Sequence, residues 1–468
     1  MAINLTTVNP SVGRLQPRAN ARLAWLAMGL LVVMTALCSA TGLGKILNIA
    51  FPGGCLAVGA LLFFRHPVHY IGFTWWLWFF TPLVRRLADY RSGFVDPSPI
   101  LLAPHLVTML SLLTLFAYLP SIYRRGGLPF ILALTGVFYG LLIGLIQFPP
   151  TTAIVALLDW LSPLLLGFHL FTKWQDYPVY RQALKQIFLW ATLLMGAYGL
   201  FQYFVAPEWD AFWLIQTSFT SAGKPEPLAM RVWSTLNSPG PFGNTMKSCL
   251  LLLLSVEGPL VIPASIVGYL TFLLASVRSS WGGWLVGIAA YSLSVKPKHQ
   301  IRLFITLAIL LLLVVPLVTI DPFEDKILIR LESLGDLSND GSATVRRETF
   351  GLLLGPALSS FIGKGIGDKL YDWGIFAFLF NLGWIGSVFY MAGLGLLVCR
   401  LFQGPDGPEI RNDKFFYCSR AIVVSCLVQL PLGSVMAGVL GASLWGFLAI
   451  GLAAQKYYRQ QAIRGPDG

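Results

Sequence analysis

Apolar runs of about twenty residues recur along almost the whole chain, separated by short breaks rich in charge, glycine and proline. A helix needs about 20 apolar residues to cross a bilayer. By that measure the pattern predicts spans near 23–41, 46–64, 68–84, 98–118, 127–147, 151–171, 186–205, 239–256, 259–275, 280–295, 302–320, 375–399, 418–433 and 436–455. The expected fold is all-α and polytopic, with about 12–14 transmembrane helices according to whether the first and last pairs are spans. Two polar stretches interrupt the pattern at length. One, 206–238, contains EWDAFW, KPEP and RVWSTLNSPGPFGN; the other, 321–374, is the largest polar piece. Within it, Thr344 to Leu354 reads as a short amphipathic helix capped by Ser342 or Thr344. Ordered loops of this length usually carry function.

Composition agrees with the membrane reading. Of 468 residues, 56% are hydrophobic and 12% charged, and the mean hydropathy is +0.70. A soluble domain carries about 25% charged residues. The net charge of +12 therefore belongs to helix flanks and anionic lipid rather than to nucleic acid. Met1 to Arg22 is polar, and Leu23 to Ala40 is long enough to remain as a span, so no cleavable signal is expected. The six cysteines fall in apolar spans or at their inward ends, which predicts neither a disulfide nor a zinc site.

Charge then sets the orientation. With both termini inside, 19 Lys and Arg lie inward and 13 outward, and Lys247 falls within a span. The bias has the expected sign. The outward face still keeps many cations, and the stretch Asp340–Gly386 gathers Arg346, Arg347, Lys364 and Lys369 on the face where they are disfavoured. That placement points to an anionic ligand. The chain divides into a tail (1–22), a first helical block (23–205), a core with both outward loops (206–400) and a last block with its tail (401–468).

Several residues carry candidate chemistry, each with a plainer alternative. Arg346 and Arg347 are either a solvated face paired with Glu348 or Asp340, or anion ligands beside the glycines of GKGIG, whose amides can form a nest. Arg278, in ASVRSSWGGWL, either snorkels to the interface or faces a polar turn. Arg231 precedes the proline break at Pro239 and Pro241. Arg231, Arg278 and Arg346 converging would clamp a pyrophosphate, because guanidinium forks match phosphate oxygens. Lys247, two turns into a span, is a functional-site hypothesis by its depth, with snorkelling as the alternative; Asp159 is treated likewise. Asp372 is either a base for a sugar hydroxyl or a helix cap before Gly374. Arg85, Arg86 and Arg91 form a second outward basic patch. The histidines show no ligand spacing, and neither H-E-x-x-H nor D-x-D occurs, so no metal or cofactor is called for.

The order RVWSTLNSPGPFGN, SVRSSWGGWL, SATVRRETF, FIGKGIG and DWGIFAFLFNLGWIG resembles the O-antigen ligase and polymerase superfamily over roughly residues 190–400. These are bacterial inner-membrane proteins that act on undecaprenyl-pyrophosphate-linked glycans at the periplasmic face. The likeness implies a metal-independent glycosyltransferase in which Arg231, Arg278 and Arg346 hold the lipid pyrophosphate; Arg347, Lys364 and Lys247 are added to that binding set on their own charge and placement. Ligases of the family usually carry a His just before the span with a Gly-x-x-Gly pattern. Counting back from Gly383 and Gly386, this chain has Asp372 instead, and its long loop has no His. That departure implies a polysaccharide polymerase, with Asp372, Arg278 and Arg346 as the catalytic set, acting on a lipid-linked repeat unit and served by a chain-length regulator. The alternatives are a ligase with a lipid or protein acceptor, and a flippase for lipid-linked sugars.

Overall fold

Apolar segments without water must satisfy their own backbone groups, so helices are the expected solution, and no strand occurs among the described residues. The computed structural model describes residues 21–295, 300–301, 303–304, 307, 341–367, 374–404, 407–433 and 435–464. Its α-helices are α1 (Ala21–Ala40), α2 (Gly44–Arg65), α3 (Pro67–Ser92), α4 (Ala103–Met109), α5 (Ser111–Tyr118), α6 (Leu128–Gln147), α7 (Pro150–Thr172), α8 (Tyr177–Val205), α9 (Glu208–Thr217), α10 (Pro239–Leu253), α11 (Val261–Leu274), α12 (Arg278–Ser294), α13 (Gly341–Ser359), α14 (Gly374–Phe402), α15 (Pro408–Arg411), α16 (Lys414–Leu427) and α17 (Gly438–Arg464). Eight helical stretches among the described residues are long and apolar enough to cross a membrane. The protein is an all-α, multi-pass membrane protein.

Every predicted span coincides with helix except 302–320, which lies almost wholly outside the described residues. The predicted spans differ mainly in length. α10, α11, α12 and α16 have 15, 14, 17 and 14 residues. At 1.5 Å per residue they reach only about 21–26 Å, short of a core about 30 Å thick. They pack among the longer helices. The helix expected at Thr344–Leu354 is longer, running as α13 from Gly341 to Ser359. Its Phe350 and Leu353 pack on Phe376, Leu379 and Phe380 of α14.

α6 and α14 meet through glycine. A Cβ on Gly136 would lie 2.5 Å from the Gly386 carbonyl oxygen, and one on Gly393 would lie 2.3 Å from that of Pro129. Small residues let helix backbones approach this closely where lipid supplies no hydrophobic drive. α14 is broken at Gly383, whose φ of 61° belongs to the left-handed region. The break strips helical partners from Trp384 and Ile385, and the segment 360–366 replaces them. Trp384 N donates to Ser360 O (3.2 Å), Ile385 N to Phe361 O (3.4 Å), and Lys364 N to the released Phe380 O (2.6 Å). Ile366 N reaches Gly140 O on α6 at 2.9 Å. Backbone groups left open in hydrocarbon cost several kcal/mol each, so loop and kink stabilise one another.

Gly365 sits at φ 85°, where a Cβ would fall 2.1 Å from the Gly144 nitrogen. Gly365→Val is expected to abolish folded yield, because neither backbone can retreat without losing the Ile366–Gly140 bond. Detergent-extracted protein run by size exclusion checks this; a monodisperse variant at native yield would refute it.

At the opposite end of the bundle, Asp413 caps α16 through Phe415 N and Phe416 N (3.1 and 3.4 Å). It also accepts from Tyr177 (2.5 Å), Arg181 (3.0 Å) and Tyr458 (2.9 Å), which ties α8, α16 and α17 together.

Candidate functional site

α10 and α12 start on the same face, where the loop 206–238 lies. A Cβ on Gly243, in α10, would lie 3.1 Å from Val277 Cβ and from Ser280 Oγ, so the first turn of α12 rests beside the second turn of α10. Both helices point their N-termini, the positive ends of their dipoles, to the same place. Arg278 is the first residue of α12 and is half-buried. Arg231 reaches across to the turn before it. Its Nε and Nη2 donate to Ala275 O (3.2 Å) and Ser276 O (3.0 Å), and Nη1 donates to Ser221 O (2.9 Å). Arg231 and Arg278 are thus brought to one junction.

Lys247 lies below it, eight residues into α10 or about 12 Å along the axis, and is fully buried. It does not snorkel. Its ammonium donates to Gln429 Oε1 (2.5 Å) and Ser425 O (3.2 Å), with Cys426 Sγ at 3.9 Å. The Gln429 amide nitrogen in turn donates to Ser279 O at 2.6 Å, next to Arg278. One side chain therefore couples the buried lysine to the start of α12. Ser280 Oγ and Thr245 Oγ1, on α12 and α10, are buried and find no hydrogen-bond partner among the described residues.

The backbone here is strained. Five non-glycine residues have positive φ among the described residues: Ala206, Ser218, Leu228, Ser234 and Ser276. All lie in the loop 206–238 or in the turn before Arg278. Each such conformation costs about 1–3 kcal/mol and persists only where its surroundings over-determine it. Ser276 is held by Arg231. Ser234 is held by a buried network: its carbonyl accepts from Arg86 Nη2 (2.5 Å), its amide donates to Gln202 Oε1 (2.8 Å), and its hydroxyl donates to Met195 O (2.6 Å). Arg86 Nη1 pairs with Asp210 Oδ1 at 3.1 Å, both side chains being fully buried. Asp210 Oδ2 accepts from Gln202 (2.7 Å) and Tyr198 (2.9 Å). Burial pushes the Asp210 carboxyl up, and Arg86 beside it pulls it back.

The outward basic patch is thereby divided: Arg85 and Arg86 are buried in the protein, and Arg91 is exposed. Arg85 is buried against Asp89 (3.2 Å) and the Val95 carbonyl (2.7 Å), and Arg91 donates to Ala40 O (2.9 Å). The partner of Arg86 lies 124 positions away, on α9, so no local spacing announced it.

The other expected ligands fare differently. Lys364 is exposed, its ammonium 5.5 Å from the Phe380 ring centroid, and the amides of Lys364 and Ile366 are already bonded to α14 and α6. The GKGIG glycines thus serve helix packing, and two of the amides of the expected nest are spent. Arg346 and Arg347 fall in α13, whose later turns pack on α14. Asp372 lies outside the described residues; Gly374, two positions on, abuts the Pro431 carbonyl. No group of three or more His, Cys, Asp or Glu among the described residues is placed to hold a metal ion.

No protein-family model matches the chain, and none of the curated proteins matches it. What the site can do chemically follows from its parts. Two dipole ends, two guanidinium groups and a buried ammonium favour an anion that arrives from the loop-bearing face or develops there.

Proposed function

We propose that the protein is a glycan polymerase of the O-antigen polymerase type in the bacterial inner membrane. It transfers a growing chain from undecaprenyl pyrophosphate to a hydroxyl of a lipid-linked repeat unit at the periplasmic face. The observation that carries this reading is the junction of Arg231, Arg278 and the α10 and α12 N-termini above buried Lys247. In such a transfer the glycosidic carbon–oxygen bond to pyrophosphate breaks, a new one forms to the acceptor oxygen, and the hydroxyl proton leaves to a base, for which Asp372 is the proposed group. Charge develops on the departing pyrophosphate, and preorganised cations stabilise it without a metal.

Arg278→Ala is expected to stop chain growth while leaving expression and melting temperature near native. The assay supplies lipid-pyrophosphate oligosaccharide to the full chain in nanodiscs and sizes the product. Native product length in the variant would refute the clamp. Long glycan moved to a different lipid or to protein would indicate a ligase.

A specific observation also favours transport of the lipid-linked sugar. Ionisable side chains lie along the helices, fully buried at Arg86 and Lys247 and partly buried at the pair His105 and Asp159. Movement of labelled lipid between leaflets without chain growth would support transport over transfer.

A further inference from the structure

At the end of the bundle that carries Asp413, cations from separate helices are drawn to one turn. The connection between α5 and α6 reads RRGG over Arg124–Gly127. Gly126 sits at φ 74°, in the left-handed region. The turn closes on its own backbone, Arg125 N donating to Ser121 O (3.1 Å) and Gly127 N to Ile122 O (2.9 Å). Its carbonyls are left for side chains. Lys456 of α17 donates its ammonium to Arg125 O, and Arg400 of α14 donates Nη1 to Gly126 O, both at 2.8 Å. Arg125 lays its guanidinium over the Tyr118 ring, 4.6 Å from the centroid, and Lys173 approaches the same ring at 5.9 Å. Lys456 rests over Phe171 at 3.5 Å.

Like charges gathered in this way repel one another unless an anion offsets them. The charges that reach Lys456 are those of Arg400 and Arg125, and both repel it. No carboxylate among the described residues lies within ion-pair distance of Arg125, Arg400 or Lys456. Asp413 is already shared by Tyr177, Arg181 and Tyr458, and Asp176 faces Lys173 at the rim. Carbonyl and ring contacts orient the three cations without neutralising them. Arg125 and Arg400 are exposed and Lys456 is half-buried. Arg400 commits Nη1 alone, and the guanidinium of Arg125 meets no acceptor among the described residues. Both forks are therefore left for phosphate oxygens, which they match in shape.

The surroundings favour a lipid over a free anion. Helical stretches long and apolar enough to cross a membrane end at Ser121, Thr172, Phe402 and Ile463, and another starts at Leu128, so the cluster lies at a membrane surface. Beside it, Leu119, Leu128, Leu396 and Phe402 are 43–47% exposed. Leu396 stands one turn before Arg400 on the same side of α14. A free anion gains nothing from that apolar margin, whereas a lipid lays its acyl chains there while its headgroup meets the cations.

We propose that Arg125, Arg400 and Lys456 bind the headgroup of an anionic phospholipid, with its phosphate on the two guanidinium groups and its acyl chains along α6 and α14. The site does not depend on the transfer reading, because it lies at the opposite end of the bundle from the arginine junction. The full chain in an uncharged detergent is titrated with phosphatidylglycerol or phosphatidylethanolamine, and native mass spectrometry counts the lipids retained. One phosphatidylglycerol is expected to be held in preference, since the ammonium of phosphatidylethanolamine is repelled. A basic residue close to an anionic lipid contributes about fivefold in binding. Arg400→Gln with Lys456→Gln should therefore weaken binding by about thirtyfold, and Arg125→Gln, which keeps both carbonyl ties, by about fivefold. Where the double variant does not fold, Arg125→Gln alone decides. Arg65→Gln with Lys185→Gln removes as much charge outside the cluster and should leave binding near native. Inorganic phosphate at matched ionic strength should not displace the lipid. Equal retention of the two lipids, unchanged binding in Arg125→Gln, equal weakening in the Arg65 and Lys185 pair, or displacement by inorganic phosphate would each overturn the proposal.

Discussion

Asp210→Ala is expected to destabilise the protein by about 3–5 kcal/mol, the usual cost of leaving one partner of a buried ion pair alone. Arg86 and Asp210 are both fully buried, so water cannot take over from the missing carboxylate. The loss reaches beyond the pair. Asp210 also accepts from Gln202 and Tyr198, and Gln202 Oε1 holds the amides of Trp233 and Ser234 (3.0 and 2.8 Å). Without the carboxylate the strained Ser234 loses the frame that keeps its φ at 51°, and the loop leading into α10 relaxes. Thermal unfolding in nanodiscs reads the stability. The double variant Arg86→Met with Asp210→Leu should recover most of it, because well-packed apolar replacements remove the desolvation penalty along with the pair. Its glycan transfer should stay low, since the Arg86 bond to the Ser234 carbonyl is gone too. An Asp210→Ala protein that melts with the native one would show that the pair is solvated and that the network does not hold the loop.

The helices were legible because hydrocarbon permits so few backbone solutions; apolar length alone located α1, α2, α6, α7 and α14. Their packing was far less legible. Nothing local to Arg86 marks Asp210 as its partner, and VRRLADYR read alone looks like a surface patch. The GKGIG glycines were conspicuous for the wrong reason. Glycine serves an anion nest and a backbone-on-backbone contact equally well, and only the approach of Gly365 to Gly144 and of Gly363 to Gly383 decides between them. Lys247 and Asp159 stood out by depth, which is a physical cost visible in any apolar run. Their partners, Gln429 and His105, did not, because a glutamine or a histidine near a helix end carries no such cost. The kink at Gly383 is likewise invisible in GIFAFLFNLGWIG until the segment 360–366 is seen to replace the lost hydrogen bonds.

Lys247→Met is the sharpest division between a structural and a functional role for the buried cation. Methionine fills the lysine stem, so packing around α10 should be kept. Gln429 can still donate to Ser279 O and hold the start of α12. Stability is therefore expected to stay near native, while transfer falls by about 10²–10³, the usual loss when one preorganised stabiliser of developing negative charge is removed. Gln429→Leu should behave in the opposite sense. It leaves the ammonium with Ser425 O as its near oxygen partner and opens the Ser279 carbonyl, so stability should drop by about 1–3 kcal/mol or more. Combining the two substitutions removes the orphaned charge and should restore most of the melting temperature without restoring transfer. Melting curves and product length, taken together on the three variants, separate the roles. Transfer within a few-fold of native in Lys247→Met would make the lysine a tie between α10 and α16, and the pyrophosphate would then rest on the arginines alone.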